Sequence, residues 1–286
     1  MKRKVAMKDF NMSDLPSNRK EVFFDCIKNR YKYLLFSGFI LFLTMIPFFV
    51  VIFLKTMYMG ALVEDYVSGA LTVEEYSAAA LTYISIFDLS IIASTLIISI
   101  GICGLSRVVR QIGWIEPLFF SKDFGDGIKL NYKHIFGHML ALSIIYMLSD
   151  IALHTNIRFE FLKYIPIAIF MFIAIPIALY NIAQINIYDI SDLKATKNSI
   201  LFLLKSVPVC ILFTLIISSV IFIGFINDIT IRLMIYILLV ILLFPIYYLA
   251  WFLYSSYVFD KFININSYPE IVDKGIVRKE NKVAKE

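Results

Sequence analysis

The chain is expected to be an all-α membrane protein, with six transmembrane helices, amphipathic helices on the inner face and both termini cytoplasmic. Three observations carry this expectation. Six apolar runs are each long enough for a bilayer core of about 30 Å, which takes roughly 20 helical residues. Of the 286 residues, 60% are hydrophobic and mean hydropathy is +0.79, which excludes a water-soluble globule. With the six runs taken as spans, 23 of the 27 Lys and Arg residues fall on one side. Basic loops stay in the cytoplasm, so both ends are placed inside, and adding or removing one span would break the split.

The spans are taken in order. Tyr33–Leu54 is uncharged throughout. Residues 81–105 contain one acid, Asp88. Residues 135–153 carry Asp150 near the far end. Residues 164–184, 206–226 and 233–259 complete the set. Backbone groups in hydrocarbon must be satisfied within the segment, so helices are expected. Strands of a membrane barrel would alternate apolar and polar residues, and these runs do not. Residues 19–276 are read as one six-span domain, with flexible arms at 1–18 and 277–286. The first run is too long for a signal-peptide core and is expected to remain as an anchor.

Between the spans, local signals fix ends and faces. Thr72-Val73-Glu74-Glu75 has capping-box spacing, so the second helix is expected to start at Thr72, outside the bilayer. The acids around it (Glu64, Asp65, Glu74, Glu75) read as a solvated outer loop. On the inner side, Asp25–Lys32 and Asp126–Lys133 share the pattern D-x-I-K-x-x-Y-K, with a fainter version from Asp192. This suggests three parallel units, each an amphipathic segment followed by two spans. In the second segment, Phe120, Phe124, Ile128 and Tyr132 recur every four residues. The expected helix lies in the headgroup plane, apolar face down, and Gly125 and Gly127 are expected to weaken it. The basic inner face is matched to anionic lipid of the inner leaflet rather than to nucleic acid.

Ionisable groups inside a span are costly and usually face protein or water. Asp88, Asp150 and His154, the last one turn after Asp150, therefore form a candidate solute or proton site. The competing reading places the two acids at the headgroup boundary, solvated or paired with Arg158. Asn181, Gln184 and Tyr188 share a face at the end of the fourth span. They either line a path for a polar solute or hold helices together. Pro47, Pro176 and Pro245 are expected to kink the first, fourth and sixth spans. Trp251, Tyr254 and Tyr257 read as an interfacial aromatic belt. His134 and His138 stand at i,i+4, the spacing of a two-His metal clasp, without an evident third ligand. Cys26, Cys103 and Cys210 share no metal-ligand spacing, so neither disulfide nor zinc is expected. No phosphate loop, H-E-x-x-H or G-x-S-x-G is present. No catalytic residue, metal or cofactor is predicted.

Gly104-Leu105-Ser106-Arg107, followed by Glu116 and the stretch Phe120, Phe124, Lys129 and Asn131, resembles the YesL-like family of bacterial membrane proteins. So does the tail from Tyr268-Pro269-Glu270 to Lys274-Gly275-Ile276. The resemblance covers roughly residues 20–276. The family has no assigned activity, and its genes often lie beside those for sugar-uptake transporters. It implies a non-enzymatic accessory or regulatory protein of the bacterial cytoplasmic membrane, linked to carbohydrate uptake through a transporter permease. Phe124, Lys129, Asn131, Tyr268, Pro269 and Lys274 are the candidate partner contacts. The alternative is a carrier or channel for a small polar solute. Oligomeric state is not readable from the sequence.

Overall fold

The computed structural model describes residues 15–155, 159–226 and 228–277, so Arg158 and most of both arms lie outside the described residues. Every regular element among the described residues is helical. The helices are α1 (Arg19–Val67), α2 (Val73–Gly113), α3 (Phe120–His154), α4 (Glu160–Ile185), α5 (Asp192–Lys205), α6 (Val207–Phe225) and α7 (Thr230–Ser267). All except α5 are long and apolar enough to cross a membrane, and the six expected spans coincide with them. The described ends meet at one end of the molecule, where Val277 N–H donates to the Pro16 carbonyl at 2.9 Å.

The first three helices are longer than a bilayer requires. The 49 residues of α1 make about 74 Å of helix at a rise of about 1.5 Å per residue, more than twice the ~30 Å core. α1 starts at Asn18, whose side chain caps the Glu21 N–H at 2.9 Å. α2 starts at Thr72, where Thr72 and Glu75 form the complete capping box that their spacing predicts. α3 is one 35-residue helix, and its inner segment does not lie separately in the headgroup plane. Phe120, Phe124, Ile128 and Tyr132 instead pack into the hydrophobic core, with Phe120 stacked on Tyr33. Gly125 and Gly127 do not break it. At Gly127 a Cβ would meet the Cys103 carbonyl at 2.6 Å, so the missing side chain lets α3 touch α2. The matching position of the first D-x-I-K segment, Cys26, also rests on α2, with its Sγ 3.5 Å from the Ile112 carbonyl. Only the third amphipathic segment, α5, is a separate helix.

α2 packs along both α1 and α3, α7 closes against α1 and α2, and α4 lies on α3. Two of the three membrane prolines have visible consequences. A single π-helical turn, Phe170–Ala174, precedes Pro176, and another, Leu239–Leu243, precedes Pro245. Proline lacks the N–H that would bond residue i−4, and widening the turn also relieves the ring clash. The Ile241 carbonyl left by Pro245 faces Gly38 of α1, where any Cβ would collide with it. Pro47 sits within α1 without ending it. Trp251 is not a belt residue. It is fully buried, 4.8 Å from Tyr180 and 5.1 Å from Phe213 between ring centroids, whereas Tyr257 is exposed.

Candidate functional site

The acidic end of the bundle, where α1 passes into α2, holds a buried ion triad. Lys55 of α1 donates to Asp88 of α2 at 2.7 Å and to Asp150 of α3. Asp88 is completely buried, and the side chains of Lys55 and Asp150 retain 14% and 13% of their exposure. Each of the three is the lone Lys, Arg, Asp or Glu in the surrounding apolar stretch of its helix. The set places two carboxyl groups on one ammonium, and one Asp88 oxygen, Oδ2, is buried with no hydrogen-bond partner among the described residues. Around it, the Tyr146 ring lies 6.0 Å from the Lys55 ammonium. His154 turns its Nδ1 toward the Asp150 backbone carbonyl at 2.9 Å, with the Asp150 carboxylate at 3.8 Å. Asp88 and Asp150 therefore share one cluster. Their shared partner is Lys55, the first residue after the uncharged first run.

Asn181 and Gln184 belong elsewhere. They form a closed amide network between α4 and α5. The Asn181 oxygen accepts from Ser199 at 2.7 Å, and its amide reaches His138 at 3.2 Å. Gln184 donates to Ser199 at 2.7 Å and to the Ala195 carbonyl at 3.1 Å, and accepts from Asn198 at 3.1 Å. With their capacity used within the protein, these amides hold helices together, which is the structural one of the two roles their spacing allowed. Tyr188 donates to Asn264 at 2.6 Å. Burial pushes its phenol well above the usual tyrosine range, and the hydrogen bond to Asn264 only partly offsets this.

The basic end is tied by a third network. Glu116 pairs with Lys274 at 2.7 Å and with Arg110 at 3.6 Å. Both cations lie 4.4 Å from the Trp114 ring centroid, within the range of cation–π attraction. Arg19 bonds the Lys274 carbonyl at 2.7 Å and Asp260 at 2.8 Å, fixing the tail to the start of α1. Asn131 donates to Asn186 at 2.8 Å, and Arg110 to the Asn186 carbonyl at 3.0 Å. Burial, helped by neighbouring Arg107, lowers Arg110 to about 10, which still leaves it charged at neutral pH.

The candidate partner contacts divide accordingly. Phe124 is buried over Gly104, and Asn131 and Lys274 are held in the network. Tyr268 rests on Tyr188 at 5.0 Å between centroids, and Pro269 opens a short 3-10 turn beyond α7. Lys129 is exposed. His134 and His138 meet Asp192 of α5, at 2.7 and 3.7 Å. Among the described residues no group of three or more His, Cys, Asp or Glu is arranged to hold a metal. Cys26, Cys103 and Cys210 are free and buried.

In comparisons with known proteins, no family model, curated protein or solved structure matches the chain. What the arrangement defines is a six-span helical membrane protein with one buried charged cluster near its acidic end.

Proposed function

We propose that the chain is a carrier for a small polar solute in a bacterial cytoplasmic membrane, with both termini inside and the Lys55–Asp88–Asp150 triad as its exchange site. The observation that carries this is the triad's unfilled acceptor, Asp88 Oδ2, in a fully buried carboxylate. Charges within a membrane are expensive and mark ion or substrate pathways. Buried ion pairs are poor stabilisers compared with apolar packing, so three charges drawn from three helices call for a use other than stability. A site with two carboxyl groups to one ammonium and a free oxygen suits a proton, a cation or a hydroxyl-bearing solute. The 23-to-4 division of basic residues supports the orientation.

Uptake of a panel of labelled monosaccharides and amino acids into proteoliposomes tests the reading. At least one should accumulate above protein-free liposomes, and Asp88→Asn and Asp150→Asn should abolish that uptake while leaving the protein folded. Uptake no greater than in protein-free liposomes, or unchanged in both variants, would defeat it.

A second reading, an accessory protein for carbohydrate uptake in keeping with the YesL-like resemblance, has its own support. Leu130, one turn before His134, and Leu193, next to Asp192, are 63% and 67% exposed, and Lys129 is exposed as well. This patch, rather than buried Phe124, is where a permease would bind. Leu130→Asp with Lys129→Glu should then abolish co-purification of a permease, and normal recovery would remove this reading.

A further inference from the structure

A groove of about 710 Å³ opens on the membrane-facing side between the outer half of α1 and the facing parts of α6 and α7. Its walls are apolar, and the Phe49 and Tyr236 rings stack across it at 6.5 Å. Thr56, Ser219 and Arg232 line its outer end, and its other polar side chains are Tyr236 and Tyr247, the latter donating its hydroxyl to the Phe213 carbonyl. The Arg232 guanidinium bonds the Gly224 carbonyl at 3.3 Å. Asp228, one turn earlier, instead directs its carboxylate at the Thr230 and Ile231 N–H groups, at 2.8 and 3.0 Å, as a helix cap. Among the described residues no carboxylate forms an ion pair with Arg232.

We propose that this groove is a binding site for one anionic phospholipid, with an acyl chain along the α1 wall and its phosphate on Arg232. Length and charge both argue for this occupant. From Met45 to Thr56 the groove wall rises about 17 Å at about 1.5 Å per residue, close to the depth of one leaflet, half of the ~30 Å core. The cation stands at the end where a chain of that length places its headgroup. Guanidinium is the side chain best shaped to take two phosphate oxygens. The surrounding solvent is itself the source of the ligand, so no opening to water is required. The inference is independent of the triad and of any transport activity.

The test is native mass spectrometry of the full chain in mild detergent, after titration with dioleoyl phosphatidylglycerol or dioleoyl phosphatidylcholine. The expected result is a single retained phosphatidylglycerol, at least fivefold favoured over phosphatidylcholine. Arg232→Gln should erase that preference, and Ile52→Trp, which fills the groove, should lower retention of both lipids. Equal retention of the two lipids by the unmodified chain would overturn the proposal, as would phosphatidylglycerol binding unaffected by both variants. A lipid-free dimer that Ile52→Trp dissociates would overturn it as well, by assigning the groove to a second copy.

Discussion

Replacing Lys55 with Met tests the triad most directly, because the two acids then lose their shared counter-charge. Both carboxylates bond one nitrogen, so they are held side by side. At an effective dielectric of about 20, two unit charges about 4 to 5 Å apart repel by about 3–4 kcal/mol. Removing one partner of a buried pair generally costs about 3–5 kcal/mol, and the complete burial of Asp88 argues for the upper part of that range. Asp88→Asn should be much milder, at about 1 kcal/mol, because it leaves a neutral one-to-one pair of Lys55 with Asp150 and an amide oxygen that still accepts a hydrogen bond. The double variant Lys55→Met/Asp88→Asn should be more stable than the sum of the two changes predicts, by about 2 kcal/mol, since it removes the repulsion. SDS-induced unfolding in mixed micelles reads all three. If Lys55→Met unfolds within about 0.5 kcal/mol of the parent, or the double variant is additive within the usual error, the three charges do not form the cluster described.

Other outcomes follow from the same geometry. Gly38→Ala should destabilise by about 1–3 kcal/mol through overpacking, since its Cβ would lie 2.9 Å from Pro245 Cγ and collide with the Ile241 carbonyl. Gly60→Ala, in the open part of the same helix, should stabilise by about 0.5–1 kcal/mol; the same unfolding assay compares them. Cys26, Cys103 and Cys210 are almost fully buried and should resist a maleimide in the folded protein, all three reacting after denaturation, as intact-mass measurement would show. Lys274→Glu sets a like charge against Glu116 and strips one cation from Trp114, so tryptic cleavage at Lys261 should quicken several-fold while cleavage at exposed Lys129 stays unchanged.

The fold was readable because hydrocarbon imposes so few solutions. An apolar run of the right length becomes a helix, and Thr72 and Glu75 cap α2 by rules that act over three residues. What required three dimensions was partnership. Lys55 follows an uncharged span and resembles a boundary cation, yet its depth equals that of Asp88 and Asp150, a coincidence visible in the sequence only if the spans are laid side by side. The four-residue aromatic period of Phe120–Tyr132 was legible, but period alone does not say whether an apolar face meets lipid or another helix. Gly104 of α2, opposite that face, and Gly127 of α3, beside it, decided it by letting α2 and α3 come into contact. The same limit applies to Asn181 and Gln184, since a polar stripe inside a bundle reads alike whether it faces a solute or the side chains of a neighbouring helix. Trp251 was misread for the related reason that an aromatic near a span's end satisfies an interface or a core equally well.

The two ends of the molecule are held in different ways, and the difference bears on how it works. At the basic end, α1, α2, α3, the α4–α5 turn and the tail are cross-linked by separate polar contacts through Asp260, Glu116, Asn186 and Asn264, with the α4–α5 amides added to them. No single loss there releases the rest. At the acidic end the ionic link among α1, α2 and α3 is the triad alone among the described residues, so its charge state bears on three helices at once. Between the two ends, α4 and α7 each carry a π-helical turn just before a proline, a place where the hydrogen-bond ladder is already interrupted and bending costs least. With several contacts at the basic end, a single ionic tie at the acidic end and bendable turns between them, a change at the triad acts on helix position rather than on the whole fold. Local rearrangement of this kind is how small changes at a site become larger ones.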